Sequence, residues 1–108
     1  MNDNEARPAV AIAVAIFSKP DQATNIICLA AGQYDYSPSF MIGLNTMLAR
    51  LDPLKKYDAL NSKSIVSIAK RINATSRCEH AVAMARCFML GHKKYSRISK
   101  LKAKQAYR

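Results

Sequence analysis

Between residues 62 and 90 the 108-residue chain carries two helical patterns separated by a short polar joint, and this pair sets what the rest can fold into. Ile65, Ile68, Ala69 and Ile72 recur at the i, i+3, i+4, i+7 spacing of one helical face, while Lys63, Lys70 and Arg71 turn away from it. Asn61 stands before this run as its cap. Asn73, Ala74, Thr75 and Ser76 interrupt the pattern, and Ser76 with Glu79 three residues later has the form of a capping box opening a second helix at Arg77. A helix, a tight turn and a second helix are expected. In a basic chain such a unit raises DNA recognition, because a helix with cationic flanks fits the major groove and meets phosphates at its walls.

Charge placement sharpens that reading. The formal net charge is +10, yet residues 1–54 carry three basic against five acidic side chains, a balance of −2. Residues 55–108 carry fourteen basic side chains against Asp58 and Glu79, a balance of +12. An apolar, nearly neutral half is suited to core or interface, and a strongly cationic half to a polyanion. Cys28, Cys78 and Cys87 are odd in number and lack a C-x-x-C spacing, which suits a reducing cytoplasm better than a secreted disulfide framework. The longest apolar run, residues 9–17, falls short of the roughly 20 residues a membrane span needs. A cytoplasmic protein that does not enter a membrane is expected.

Residues 1–8 are polar and read as a flexible N-terminus. Residues 9–17 then alternate, with Val10, Ile12, Val14 and Ile16 on one parity and alanines on the other. Two readings stay open. Period 2 with β-branched residues describes a β-strand that pairs with the same segment of a second subunit; four alanines favour a helix, apolar nearly all round and buried. Either points to a homodimer. Ser18 with Pro20 marks a helix start, and Gly32 is its expected left-handed end. Ser37 with Pro38 opens a helix through Phe40, Leu44, Met47 and Leu51, and Asp52 with Pro53 is expected to break it and begin a short one. The fold class is therefore mainly α: a compact, dimeric bundle of about five short helices, with the residue 9–17 strand as an alternative. Its organisation is a helical domain over residues 9–91 followed by a basic segment over residues 92–108.

The nucleic-acid-binding set expected from this pattern is Arg77, His80 and Arg86 for the groove or its walls, with Lys63, Lys70, Arg71, Lys93, Lys94 and Arg97 on phosphates. The helix-turn-helix register fits in part: Ala69 and Asn73 occupy suitable places, but Glu79 falls where a buried aliphatic residue belongs. That mismatch, with the apolar run after Ala81, makes the second helix mostly core and moves the expected contact toward its start and the segment after Gly91. Cys78, His80, Cys87 and His92 invite a zinc reading, but Cys78 and His80 point about 200° apart on one helix and Cys87 lies more than two turns on, so four ligands do not converge. No cofactor is expected. Three glycines without a phosphate loop, and scattered carboxylates, argue against an enzyme.

Three pieces of the chain resemble the FlhD family, the smaller subunit of a bacterial transcriptional activator: Ile-Ile-Cys-Leu-Ala-Ala at residues 26–31, Phe-Met-Ile-Gly-Leu-Asn at 40–45, and the run at 60–70 that opens Leu-Asn-Ser-Lys. The resemblance implies an all-helical dimerising subunit that joins an FlhC-like DNA-binding partner. The linker between Asn45 and Leu60 is longer than that family's, residues 9–17 have no counterpart, and no individual site residue carries over.

Overall fold

A computed structural model describes residues 1–106; Tyr107 and Arg108, the end of the expected basic segment, lie outside the described residues. Five α-helices account for most of the chain: α1 (Ala6–Ser18), α2 (Ala23–Gln33), α3 (Pro38–Lys56), α4 (Ser62–Thr75) and α5 (Glu79–Ala106). Single turns of 3-10 helix precede α1 (Asp3–Glu5) and α2 (Pro20–Gln22). Among the described residues there is no strand, so the bundle is mainly helical as expected.

Residues 9–17 form a helix, not the alternative strand. The alternation is real, but a helix uses it differently: Ala9, Ile12, Ala13, Ile16 and Phe17 gather on one side and are buried, whereas Ala11 and Ala15 are exposed. A strand would have buried one parity only. Residues 1–8, expected to fray, are tied down. Glu5 is buried and receives the backbone N–H of Asn2 (3.0 Å), the backbone N–H of Ser37 (2.8 Å) and the Ser37 hydroxyl (2.6 Å). Ser37 meanwhile caps α3 by accepting from Phe40 N–H (3.3 Å), so one serine fixes both the start of α3 and the approach of the N-terminus. These bonds, the Ser37 hydroxyl foremost, hold the Glu5 carboxyl below its ordinary range against the opposing effect of burial.

Central to the bundle is α5, which packs against α1, α3 and α4. Two glycines permit the closest approaches. A Cβ on Gly91 would stand 2.4 Å from Ala13 Cβ, and one on Gly43 would stand 2.7 Å from Met84 Cβ. Gly91 is thus where α5 crosses α1, and the helix runs straight through it instead of ending there. No helix break marks the expected boundary between the helical domain and the basic segment; residues 92–105 continue α5. Ala81, Met84, Ala85, Cys87 and Phe88 bury its first half with Phe40, Leu44, Met47, Ile65 and Ile72.

Three other expected boundaries shift. Gly32 lies within α2 and has no positive φ, so it is not a left-handed cap. Pro53 lies inside α3, where Asp52, Pro53 and Ala49 are all exposed and the carbonyl freed by the missing N–H can face water. That helix runs on to Lys56, and the turn after it passes through Asp58, with φ 54°, where Ala59 N–H reaches Leu54 O (2.8 Å) and Asp58 N–H reaches Lys55 O (3.1 Å). Ser76 ends α4 and its hydroxyl accepts from Cys78 N–H (3.1 Å), so α5 begins at Glu79, two residues later than the expected start at Arg77. At the start of α4 the expected cap holds: Asn61 Oδ1 accepts from Ser64 N–H (2.9 Å) and Ser64 Oγ accepts from Asn61 N–H (3.1 Å).

Candidate nucleic-acid interface

The joint between α4 and α5 is only Ser76 to Cys78, and it folds the two helices back on each other. Arg86 Nε, early in α5, donates to Asn73 Oδ1 near the end of α4 (3.0 Å), while His92, further along α5, shares a groove with Ser62, Lys63, Val66 and Lys70 at the start of α4. The pair is antiparallel. Its second helix packs against α1, α3 and α4 and buries Ala81, Met84, Ala85, Cys87 and Phe88 in its first half, while Glu79, Arg86 and Leu90 of the same stretch stay exposed.

What the hairpin does present is a cationic seam. The groove lined by Ser62, Lys63, Val66, Ser67, Lys70 and His92 adjoins a second one lined by His92, Lys93, Ser96, Arg97 and Lys100, so five cations from two helices line two grooves that share one imidazole. The His92 ring rests edge-on against Phe17 of α1, with centroids 4.8 Å apart and planes at 61°, which fixes it as the floor of the seam. No carboxylate lines either groove. Along α5 the spacing of Arg86, Lys93, Arg97, Lys100 and Lys104 keeps all five within about 60° of arc over roughly 27 Å of helix. From Ser99 to Gln105 every residue is exposed, so this end of α5 is open to a partner on all sides.

Of the nine residues expected to contact nucleic acid, the structure brings Lys63, Lys70, Lys93 and Arg97 together. Arg71, Arg77 and Lys94 are exposed but do not line the seam. Arg86 belongs to the α5 stripe, though Asn73 already holds its Nε. His80 departs from its expected place: it is half-buried and its Nδ1 pairs with Ser39 Oγ of α3 (2.6 Å), a hydroxyl to which the Met1 amino group also donates. Its ring therefore ties α5 to α3. His92 and Lys100 belong to the seam and were missing from the expected set, although the seven-residue steps from Arg86 to Lys93 to Lys100 place Lys100 on the stripe.

The four residues weighed as zinc ligands have separate surroundings. Cys78 is exposed, Cys87 is buried with its thiol pKa pushed up by that burial, His80 faces Ser39 and His92 faces Phe17. Among the described residues no three His, Cys, Asp or Glu side chains gather as a metal site, and no helix is long and apolar enough to cross a membrane. Tyr36 is stacked on Phe40 (3.9 Å between centroids, 17° between planes) and Tyr34 leans on Tyr36 (5.7 Å), so the two tyrosines cap an edge of the core. Comparison with protein-family models, curated proteins and solved structures finds no match to this chain.

Proposed function

We propose that the chain is a cytoplasmic DNA-binding regulatory protein that controls transcription as a dimer or as a subunit of a larger complex, and that the α4–α5 seam grips the DNA backbone. The observation that carries this reading is that Lys63, Lys70, Lys93, Arg97 and Lys100 line two adjoining grooves that share His92 and hold no carboxylate. Cations so grouped repel one another unless a polyanion neutralises them, and phosphates on adjacent nucleotides supply that neutralisation with release of counterions. The mechanism is binding, without chemical conversion of a substrate. Phosphate contacts set affinity and orientation; because one face of the first half of α5 is packed into the bundle, base reading falls to DNA shape, to the exposed end of α5, or to a partner subunit of the FlhC kind that the sequence resemblance implies.

A second reading has its own support in that packing. A basic protein without a free recognition helix also suits RNA or an acidic protein surface. Titrating the chain with a promoter-derived duplex from its native host, a random duplex, an RNA duplex and an acidic polypeptide separates the two. A regulator prefers the native duplex by about 10³-fold or more over random DNA. Equal affinity for all four polyanions would refute the regulatory reading.

A further inference from the structure

The chain's two histidines stand in different surroundings. His80 has its Nδ1 taken by Ser39 Oγ (2.6 Å) at the contact of α5 with α3. His92 lines both grooves of the seam, one of about 520 Å3 shared with Lys63 and Lys70 and one of about 380 Å3 shared with Lys93, Arg97 and Lys100. Among the described residues neither nitrogen of its ring is hydrogen-bonded, and Thr24 Oγ1 is the one buried side-chain polar atom without a partner, so the His92 nitrogens reach solvent. The charged groups that line the grooves with the ring are all cations: Lys63 and Lys70 from α4, and Lys93, Arg97 and Lys100 from α5. From α1 the ring meets Phe17, and residues 8–18 of that helix hold no charged side chain.

Of these groups only the imidazole changes charge between about pH 5.5 and 7.5. Lysine and arginine attract phosphate equally across that range. A neutral imidazole offers phosphate one N–H donor, whereas the imidazolium offers two donors and a positive charge, and hydrogen bonds between ionised groups are the stronger ones. A phosphate placed in either groove therefore binds the charged ring better than the neutral one, and by linkage its binding draws a proton onto His92. The sign follows from the two protonation states. Above the imidazole range the ring is neutral with or without phosphate, and affinity is level. As pH falls through that range affinity rises, by at most about tenfold per pH unit for one proton. Below it the ring is charged in both states and affinity is level again.

We infer that His92 is a proton-linked phosphate contact: its ring holds a backbone phosphate as the imidazolium, so the chain grips DNA more tightly in mildly acidic than in neutral solution. This rests on the backbone-gripping role proposed above for the seam. The test is fluorescence anisotropy of a labelled mixed-sequence duplex with the full chain, at fixed salt, across the imidazole range. Affinity should be about 10-fold higher at about pH 5.5 than at 7.5, the gain expected of one hydrogen bond to a charged group. The salt dependence should also steepen by about 0.9 at the acid end, since one more phosphate is neutralised there. His92→Gln keeps a neutral donor and cannot charge, so it should bind as the wild type does at neutral pH and show neither change. Because the ring packs on Phe17, a second measurement needs no variant: the titration midpoint of the His92 ring protons, followed by NMR in the wild type, should move up by about one pH unit when duplex is bound. Tight binding that is flat with pH, a pH dependence that survives in folded His92→Gln, or an unmoved His92 midpoint would each overturn the inference and leave the backbone-gripping role standing. Absence of duplex binding at every pH would remove that role, and this inference with it.

Discussion

Replacing Lys63, Lys70, Lys93 and Arg97 together with alanine tests the seam through the salt dependence of binding. Each phosphate neutralised on duplex DNA contributes about 0.9 to the slope of log affinity against log salt. Five seam cations therefore give a slope of about −4.5, and affinity should fall about 500-fold between roughly 50 and 200 mM salt. With only Lys100 left the slope should approach −0.9, and the same rise in salt should cost only about 3.5-fold. All four side chains are exposed, so stability should change by no more than about 0.5 kcal/mol each. Fluorescence anisotropy of a labelled duplex at four or five salt concentrations measures the slope, with thermal unfolding as the control for folding. A variant that folds normally and keeps the wild-type slope would refute the assignment, and would direct attention to Arg71, Arg77 and Lys94, which lie off the seam.

The glycines and Glu5 give further tests. Gly91→Ala should destabilise the bundle by about 1–3 kcal/mol in urea unfolding, since its methyl meets Ala13 and the Val10 carbonyl (3.2 Å) between two helices. Gly32→Ala faces open space in a helix and should stabilise by about 0.5–1 kcal/mol. Equal effects at the two positions would refute the account of the α1–α5 crossing. Glu5 has its pKa lowered in the folded state, so its contribution is present above the ordinary carboxylate value of 4.5 and is lost as pH falls through the lower folded value. Glu5→Gln should remove that acid-side slope in thermal midpoints taken from pH 6 down to about 2; an unchanged slope would show that other carboxylates cause it.

Local signals in the sequence are reliable here where a side chain acts on its own backbone. Ser37 and Asn61 cap the helices they precede, and the periodic face of Ile65, Ala69 and Ile72 is buried as its spacing requires. Expectations failed where tertiary packing overrode a local rule. The helical domain is expected to give way to a basic segment at Gly91, but that glycine serves a close crossing with Ala13 that appears only once α1 and α5 are in contact. Pro53 looks like a helix break, but it sits on the exposed face of the last turns of α3, where the one hydrogen bond it removes leaves a carbonyl open to solvent. Residues 9–17 alternate, yet alanines can serve either parity, so the pattern cannot distinguish a strand from a helix until α5 provides the surface that Ile12, Ala13 and Ile16 cover.

The candidate site was partly legible for the same reason. The cationic half and the polar faces of α4 and α5 are sequence properties, and four of the nine expected contacts lie on the seam. His80 was misplaced because its partner, Ser39, lies 41 residues away on α3. His92 was considered only as a metal ligand because nothing in its neighbours along the chain reveals Phe17 beneath it or Lys63 and Lys70 across the groove.

The measurement closest to the central claim is an amide chemical-shift titration of the isotopically labelled chain with a duplex DNA. The largest changes are expected at Lys63, Lys70, His92, Lys93, Arg97 and Lys100, while the exposed face of α1 and α2 around Ala11 and Leu29 stays unperturbed. Shifts concentrated at Arg77, His80 and the start of α5, or on the α1–α2 face, would contradict it.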